Sequence, residues 1–340
     1  MKVFYSEQHR RHYPPFEVFD GGVRVPYLEN PDRMDKILGA LRSVNWVNIL
    51  KPLDFGLAPI LAVHDKDYLD FLASAWTEWL ASDPTDSSTL IPATFALRRQ
   101  PRKPKSLLGL AGYYIMDLSA CIVEGTYQAA LASANCALSA AQVIADGEPS
   151  SFALCRPPGH HAGKDYAGGY CFLNNTAIAA NRLSTKGHVA ILDIDYHAGN
   201  GTQDIFYSRN DVLTISIHAD PDFEYPHFAG FVGERGRDRG LGYHHNFPLP
   251  KGTGNVEYLQ TLDTALGLIR EFNPAYLVVS AGMDIYADDP LGTIKVTTDG
   301  IGEIGKRIAS LALPTVLVME GGYANEALGK NILALLSAFT

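Results

Sequence analysis

The chain has 340 residues, 46% hydrophobic and 19% charged, which is enough apolar material for a large core and excludes a disordered chain. Twenty-eight Lys and Arg stand against 37 Asp and Glu, a net charge of −9. That balance argues against a nucleic-acid partner, which needs a basic surface, and fits a cationic or neutral substrate.

Taken in chain order, Lys2–Tyr5 (KVFY) is the first short apolar run that reads as a strand. Met1–Pro15 shows no secretory signal, and no apolar run approaches the ~20 residues of a membrane span. Cys121, Cys136, Cys155 and Cys171 lack CxxC spacing and read as reduced core thiols. A cytoplasmic protein that meets no membrane is expected. Ser82–Gly112 breaks the apolar rhythm with turn formers, then a basic cluster of Arg98, Arg99, Arg102, Lys103 and Lys105. It reads as a solvated loop, or as an insertion that packs on a second subunit or over a site mouth.

Thr126–Ala145, Asn175–Ser184 and Glu257–Phe272 carry apolar residues at helical spacing. Between them run Ser151–Cys155, His188–Asp195, Val212–His218, Ala275–Ala281 and Pro314–Met319, with β-branched residues on both faces. Alternating strands and helices of this kind predict an α/β fold with a mostly parallel sheet flanked by helices.

Ligands of such sheets bind outside the carboxyl ends of the strands, and the residues just past each of these runs are rich in chemistry. SFALC leads to Arg156-Pro-Pro-Gly-His160-His161. HVAILDID ends in Asp193 and Asp195 and continues to His197. VLTISIH ends in Ser216 and His218, LVVSAG leads to Asp284, and TVLVM leads to Glu320-Gly-Gly-Tyr323.

In a strand, Asp193, Asp195 and His197 would share one face. Buried carboxylates side by side need a cation or must protonate. Asp195 and His197, joined by Asp284, offer two oxygens and one nitrogen with an open position, the pattern of a catalytic zinc site. His160 and His161, on a stiffened turn, suit proton transfer in amide hydrolysis, with Asp193 and Asn200 available to orient them. Tyr323, after two glycines, can serve as an oxyanion donor. A cationic substrate tail calls for an acid at the mouth, for which Asp117 and Glu124 are the candidates.

RPPGHHA (156–162), GGYCFLNN (168–175), DIDYHAGNGTQDIF (193–206), SIH (216–218), SAGMD (280–284) and EGGY (320–323) together resemble the histone deacetylase superfamily. Within it the chain is most similar to bacterial acetylpolyamine amidohydrolases. The resemblance implies an arginase/deacetylase-like single domain with a central eight-stranded sheet. It implies zinc on Asp195, His197 and Asp284, and His161 as base then acid, with His160 its electrostatic partner. Tyr323 would polarise the acetamide carbonyl, and Gly169, Tyr170 and Tyr225 would line the channel. Asp193, Ser216 and carbonyls around Asp195, His197 and Ile217 resemble a structural potassium site, and Phe206, Arg209, Val212 and Tyr243 a second. Where family members often carry Asp this chain has Asn200, whose neutral amide should leave His161 less basic.

The expected function is deacetylation of small N-acetylated polyamines or diamines by a homodimer whose 82–112 insertion narrows the channel. A protein acetyl-lysine deacetylase is the alternative that a crowded mouth would disfavour. A non-catalytic recognition module would not need the complete zinc, His and Tyr set. Arginase-like guanidine hydrolysis would want a two-manganese carboxylate site.

Overall fold

The computed structural model describes residues 1–19, 22–96 and 102–340; Arg98 and Arg99 of the basic cluster lie outside them. The strands are β1 (Lys2–Phe4), β2 (Glu17–Phe19), β3 (Val23–Val25), β4 (Asn48–Leu50), β5 (Ser150–Ala153), β6 (Val189–Asp193), β7 (Val212–Ala219), β8 (His244–Leu249), β9 (Tyr276–Ala281) and β10 (Thr315–Met319). The helices are α1 (Asp32–Leu41), α2 (Ala58–Leu61), α3 (Lys66–Ala81), α4 (Leu107–Tyr114), α5 (Thr126–Ala145), α6 (Asn175–Ser184), α7 (Asn200–Phe206), α8 (Asn255–Phe272), α9 (Thr298–Ala309) and α10 (Asn325–Leu336).

Eight strands form one sheet in the order β4-β1-β5-β10-β9-β6-β7-β8, every pair parallel, while β2 and β3 make a small antiparallel hairpin. Both faces of the sheet are covered, and side chains alternate between them along each strand. Val316 and Val318 of β10 join Ala-rich α5, α6 and α3 on one side, and Leu317 and Met319 join α1, α8, α9 and α10 on the other. Small residues along α5 let it lie close to the sheet. Side-chain caps fix the helix starts: the Asn174 carbonyl oxygen accepts the Ala177 N–H at the head of α6, and Thr297 Oγ1 accepts the Gly300 N–H at the head of α9.

The structure adds two edge strands, β4 and β8, to the six read from the sequence. It also makes the end of the 82–112 segment a helix, α4. Before α4, Leu90 bridges Ile122, and Phe95 reaches a cavity at the carboxyl end of the sheet. Among the described residues no helix is long and apolar enough to cross a membrane. The order of the sheet sets β5, β10, β9, β6 and β7 side by side, so their carboxyl-end loops open onto a common edge.

Candidate active site

Strand β6 ends at Asp193, so the expected face-sharing of Asp193, Asp195 and His197 in one strand does not occur. Instead the chain turns. Asp193 Oδ1 accepts the Asp195 N–H at 3.0 Å and Asp195 Oδ1 accepts the His197 N–H at 2.9 Å. The Tyr196 N–H donates to Asp284 Oδ1 at 2.9 Å, which ties this turn to the end of β9. The result separates Asp193 from its neighbours and gathers Asp195, His197 and Asp284, whose ligand-type atoms lie within 4.8 Å of one another.

These three residues suit a metal. Asp195 and Asp284 are fully buried, and Asp284 Oδ2 makes no hydrogen bond although His197 Nδ1 lies 3.3 Å away. Burial, then the neighbouring Asp195 charge, pushes the Asp284 carboxyl up to about 7. An orphaned oxygen in a buried carboxylate pair is what a bound cation relieves. Two oxygens and one imidazole nitrogen beside an open cavity match a catalytic rather than a closed structural site. Gly321 lets the chain pass over this cluster: a Cβ there would lie 2.3 Å from Asp284 Oδ2.

His160 and His161 follow β5. The turn that carries them is pinned by Glu320, whose Oε2 accepts the Gly159 and His160 N–H groups at 2.6 and 3.1 Å. Burial pushes the Glu320 carboxyl up to about 7. His160 Nδ1 donates to Asp193 Oδ2 at 2.9 Å, and His161 Nδ1 donates to Asn200 Oδ1 at 2.7 Å. These partners divide the pair. Burial opposes charge on His160, but Asp195 and Asp193 overcome it and hold that imidazole well above its ordinary value. Burial, then the neighbouring His160 and His197, depresses His161 well below its ordinary value. With Nδ1 donating, neutral His161 keeps Nε2 as a lone-pair acceptor, the form of a general base. The backbone of Gly169 closes on this ring at φ +52°, and a Cβ there would lie 2.2 Å from His161 Cδ2.

A cavity of about 630 Å³ opens above these groups, lined by His160, His161, Asp195, His197 and Tyr323 among others. Tyr323 is 8% exposed, and among the described residues its hydroxyl has no hydrogen-bond partner. The Arg33 guanidinium carbon sits 4.9 Å from the Tyr323 ring centroid. Gly169, Tyr170 and Tyr225 all line the cavity, with the Tyr225 ring edge-on to His161 at 4.9 Å.

Asp117 also lines the cavity, but its oxygens are engaged: Oδ2 accepts the Gly169 N–H at 2.6 Å and the Tyr225 hydroxyl at 2.7 Å. It braces the wall. Glu124 is not brought to the cavity; it is exposed on a separate hollow beside Arg11 and Trp76. Its place next to the insertion in sequence misleads, because the chain turns away into α5. Two acids of the wall escaped the sequence reading. Glu17, on three-residue β2, accepts Tyr170 Oη and the Leu28 N–H at 2.6 and 2.7 Å. Glu224 takes a 3.4 Å bond from Thr293 Oγ1 and is the less engaged of the two.

Of the residues resembling cation sites, Asp193 and Ser216 are register neighbours in β6 and β7, though Ser216 Oγ bonds His218 Nδ1 at 2.7 Å. Ile217 is buried beside Ser216. Phe206 closes α7 and Val212 opens β7, at the end of the sheet away from the cavity. There the Phe206 and Tyr243 carbonyls accept the Arg209 and Thr214 N–H groups. Under the site lies a buried ion cluster, also unforeseen. Glu29 Oε1 meets Arg33 Nη1 at 2.6 Å and Arg156 Nε at 3.0 Å, all three side chains 0% exposed.

Comparison with known proteins agrees with this geometry. The family model described as the histone deacetylase domain matches residues 27–339. Acetylpolyamine amidohydrolase 1 of Pseudomonas aeruginosa is 47% identical over 100% of this chain and 99% of its own. The acetylpolyamine amidohydrolase of Mycoplana ramosa is 41% identical over 99% and 98%. The crystal structure of the acetylpolyamine aminohydrolase from Burkholderia pseudomallei superposes with a TM-score of 0.96 at 43% identity, covering 100% of this chain and 98% of that one.

Proposed function

The chain belongs to the histone deacetylase family, and we propose that within it this protein is a zinc-dependent amidohydrolase of small N-acetylated polyamines and diamines. It releases acetate and the free amine. The observation that carries the reading is the convergence in one cavity of three groups: the Asp195–His197–Asp284 cluster, His161, and Tyr323, the last two with Nε2 and the hydroxyl unpartnered among the described residues.

Asp195, His197 and Asp284 would hold the zinc, which when bound polarises a carbonyl and acidifies water. His161 Nε2 takes a proton from the attacking water, and its Nδ1–H stays on Asn200. Tyr323 donates its hydroxyl proton in a hydrogen bond to the oxygen that gains charge as the carbonyl becomes tetrahedral. The C–N bond then breaks, and the His161 imidazolium returns its proton to the departing amine. Charged His160, held between Asp193 and Asp195, offsets the carboxylates around the reacting centre. Gly169, Tyr170 and Tyr225 confine the acyl chain. Glu224, rather than Glu124, offers a carboxylate to the distal ammonium.

The same reading takes the protein to be a cytoplasmic homodimer. Four buried free cysteines suit a reducing compartment. The 82–112 segment brings Phe95, 37% exposed, to the cavity and leaves Leu108 47% exposed, which suits cover by a second copy. Potassium at the Asp193/Ser216 and Phe206/Tyr243 positions is proposed on family resemblance.

The test is acetate release from acetylputrescine by protein stripped with chelator and reloaded with zinc. Activity is expected to vanish and return, with one zinc per chain, and Asp284→Ala should not be rescued. Full activity of the stripped protein would overturn the reading.

A further inference from the structure

The loop that carries Tyr323 is gripped from two sides. Arg33, on α1, donates from Nε to the Gly322 carbonyl and from Nη2 to the Glu320 carbonyl, each at 2.7 Å. Asp289, in the segment after β9, takes the N–H groups of the same loop. Its Oδ2 accepts Tyr323 N–H at 2.6 Å and Ala324 N–H at 2.9 Å, while Oδ1 accepts Leu291 N–H at 3.0 Å. The Asp289 side chain is nearly out of solvent, at 5% residue exposure. A carboxylate at that depth is costly unless its acceptor sites are filled, and here both oxygens are spent on backbone.

The two segments it joins are the ones that face the substrate. Tyr323 and Leu291 both line the cavity. The Tyr323 hydroxyl has no protein partner to fix it among the described residues, so the phenol goes where its backbone and ring contacts send it. Gly321 and Gly322 precede it, the latter at φ +119°, and two glycines give the loop little stiffness of its own. The alignment that an oxyanion donor needs must therefore come from the groups that hold the loop.

We propose that Asp289 is a positioning residue for the deacetylation, setting the Tyr323 phenol over the reacting carbonyl and locking it to the Leu291 wall. This rests on the reading of Tyr323 as oxyanion donor. The chemistry of substitution is asymmetric. Alanine removes all three acceptor contacts. Asparagine keeps one oxygen but puts an N–H donor where the second oxygen was, so it serves the Tyr323 side or the Leu291 side, not both.

The experiment is a double-mutant cycle on the zinc-loaded protein with acetylputrescine, reading kcat, KM, zinc content and thermal unfolding. Asp289→Ala is expected to lower kcat by about 10- to 100-fold, the scale of a donor misplaced by ~1 Å, with zinc content unchanged. Asp289→Asn should lose less. In a Tyr323→Phe background either change should alter kcat by less than about twofold, because the group through which Asp289 acts is gone. A kcat loss as large in that background as in the parent would overturn this proposal alone, since it would make Asp289 a general support of the fold. An unchanged kcat in Asp289→Ala would do the same. An unchanged kcat in Tyr323→Phe itself would overturn the oxyanion reading and this proposal together. If the alanine variant does not fold, the asparagine variant and its double mutant carry the comparison.

Discussion

Replacing Asn200 by Asp isolates the charge of one group behind the proposed base. In the protein His161 Nδ1 donates to Asn200 Oδ1 at 2.7 Å, with Asn200 8% and His161 3% exposed. A carboxylate there would face the imidazolium at about 4 Å between charge centres. At an effective dielectric near 20 that is worth about 4 kcal/mol, or roughly 3 pKa units, before the cost of burying the new charge. A rise of about 1–3 units is the net expectation. The side chain should stay in place, because aspartate has the shape of asparagine and keeps the oxygen that accepts the His161 Nδ1–H. His161 acts as base only when neutral, so a raised pKa moves the acid limb of kcat/KM to higher pH. The pH profile of kcat/KM for acetylputrescine should therefore shift its acid limb upward by about 1–3 units in Asn200→Asp, with the loss recovered at alkaline pH. An acid limb that stays where it is would refute the assignment of His161 as the base tuned by Asn200.

Tyr323→Phe should lower kcat about 10²- to 10³-fold, as loss of an oxyanion donor does, with zinc content and unfolding midpoint unchanged by metal analysis and calorimetry. Glu29→Ala strands the Arg33 and Arg156 guanidinium groups in the core and should cost about 3–5 kcal/mol in denaturant unfolding; a loss under about 1 kcal/mol would contradict the buried cluster. In metal-stripped protein, burial and Asp195 raise the Asp284 carboxyl to about 7, and the neighbouring Asp195 and Asp284 carboxylates outweigh burial to raise His197 to about 9. Both groups bind protons more tightly folded than unfolded, so the stripped protein should lose stability as pH rises from about 4 to 9. Zinc competes with those protons, and the gap in Tm between loaded and stripped protein should widen from pH 5.5 to 8.5; a constant gap would count against the ligand set. Deleting residues 84–105 should give a monomer by light scattering that accepts acetyl-lysine peptides better than the parent.

The sheet was legible where it is buried on both faces. Ser151–Cys155, Val212–His218 and Pro314–Met319 are short, mostly apolar runs, as parallel strands covered on both faces tend to be. The edges were not. Strand β8 reads His-His-Asn-Phe-Pro-Leu, with a proline that an edge tolerates, and β4 is three residues long. Within the site, residues carried by strand ends were found because apolar runs point at them. Asp193 was found too, but its part in the geometry was not: a turn, rather than strand periodicity, sends it to His160 while Asp195 and His197 swing to Asp284. Arg33, Glu29 and Asp289 look like surface charges in sequence. Only long-range contacts, such as Arg33 to Gly322 across 289 positions, make them part of the site. The spacing of Glu29 and Arg33, one helical turn apart, was the one local trace of their pairing. Glu124 failed for the opposite reason, since nearness in sequence to the insertion is not nearness to the cavity.

Whether this cavity takes a small acetylated amine is tested most directly by the ratio of kcat/KM for acetylputrescine to that for an acetyl-lysine peptide. One preparation of zinc-loaded protein serves both substrates. A ratio well above one is expected, carried by a low peptide kcat/KM at a narrow mouth. A ratio below one would contradict the polyamine reading and assign the protein to the deacetylation of acetyl-lysine in proteins.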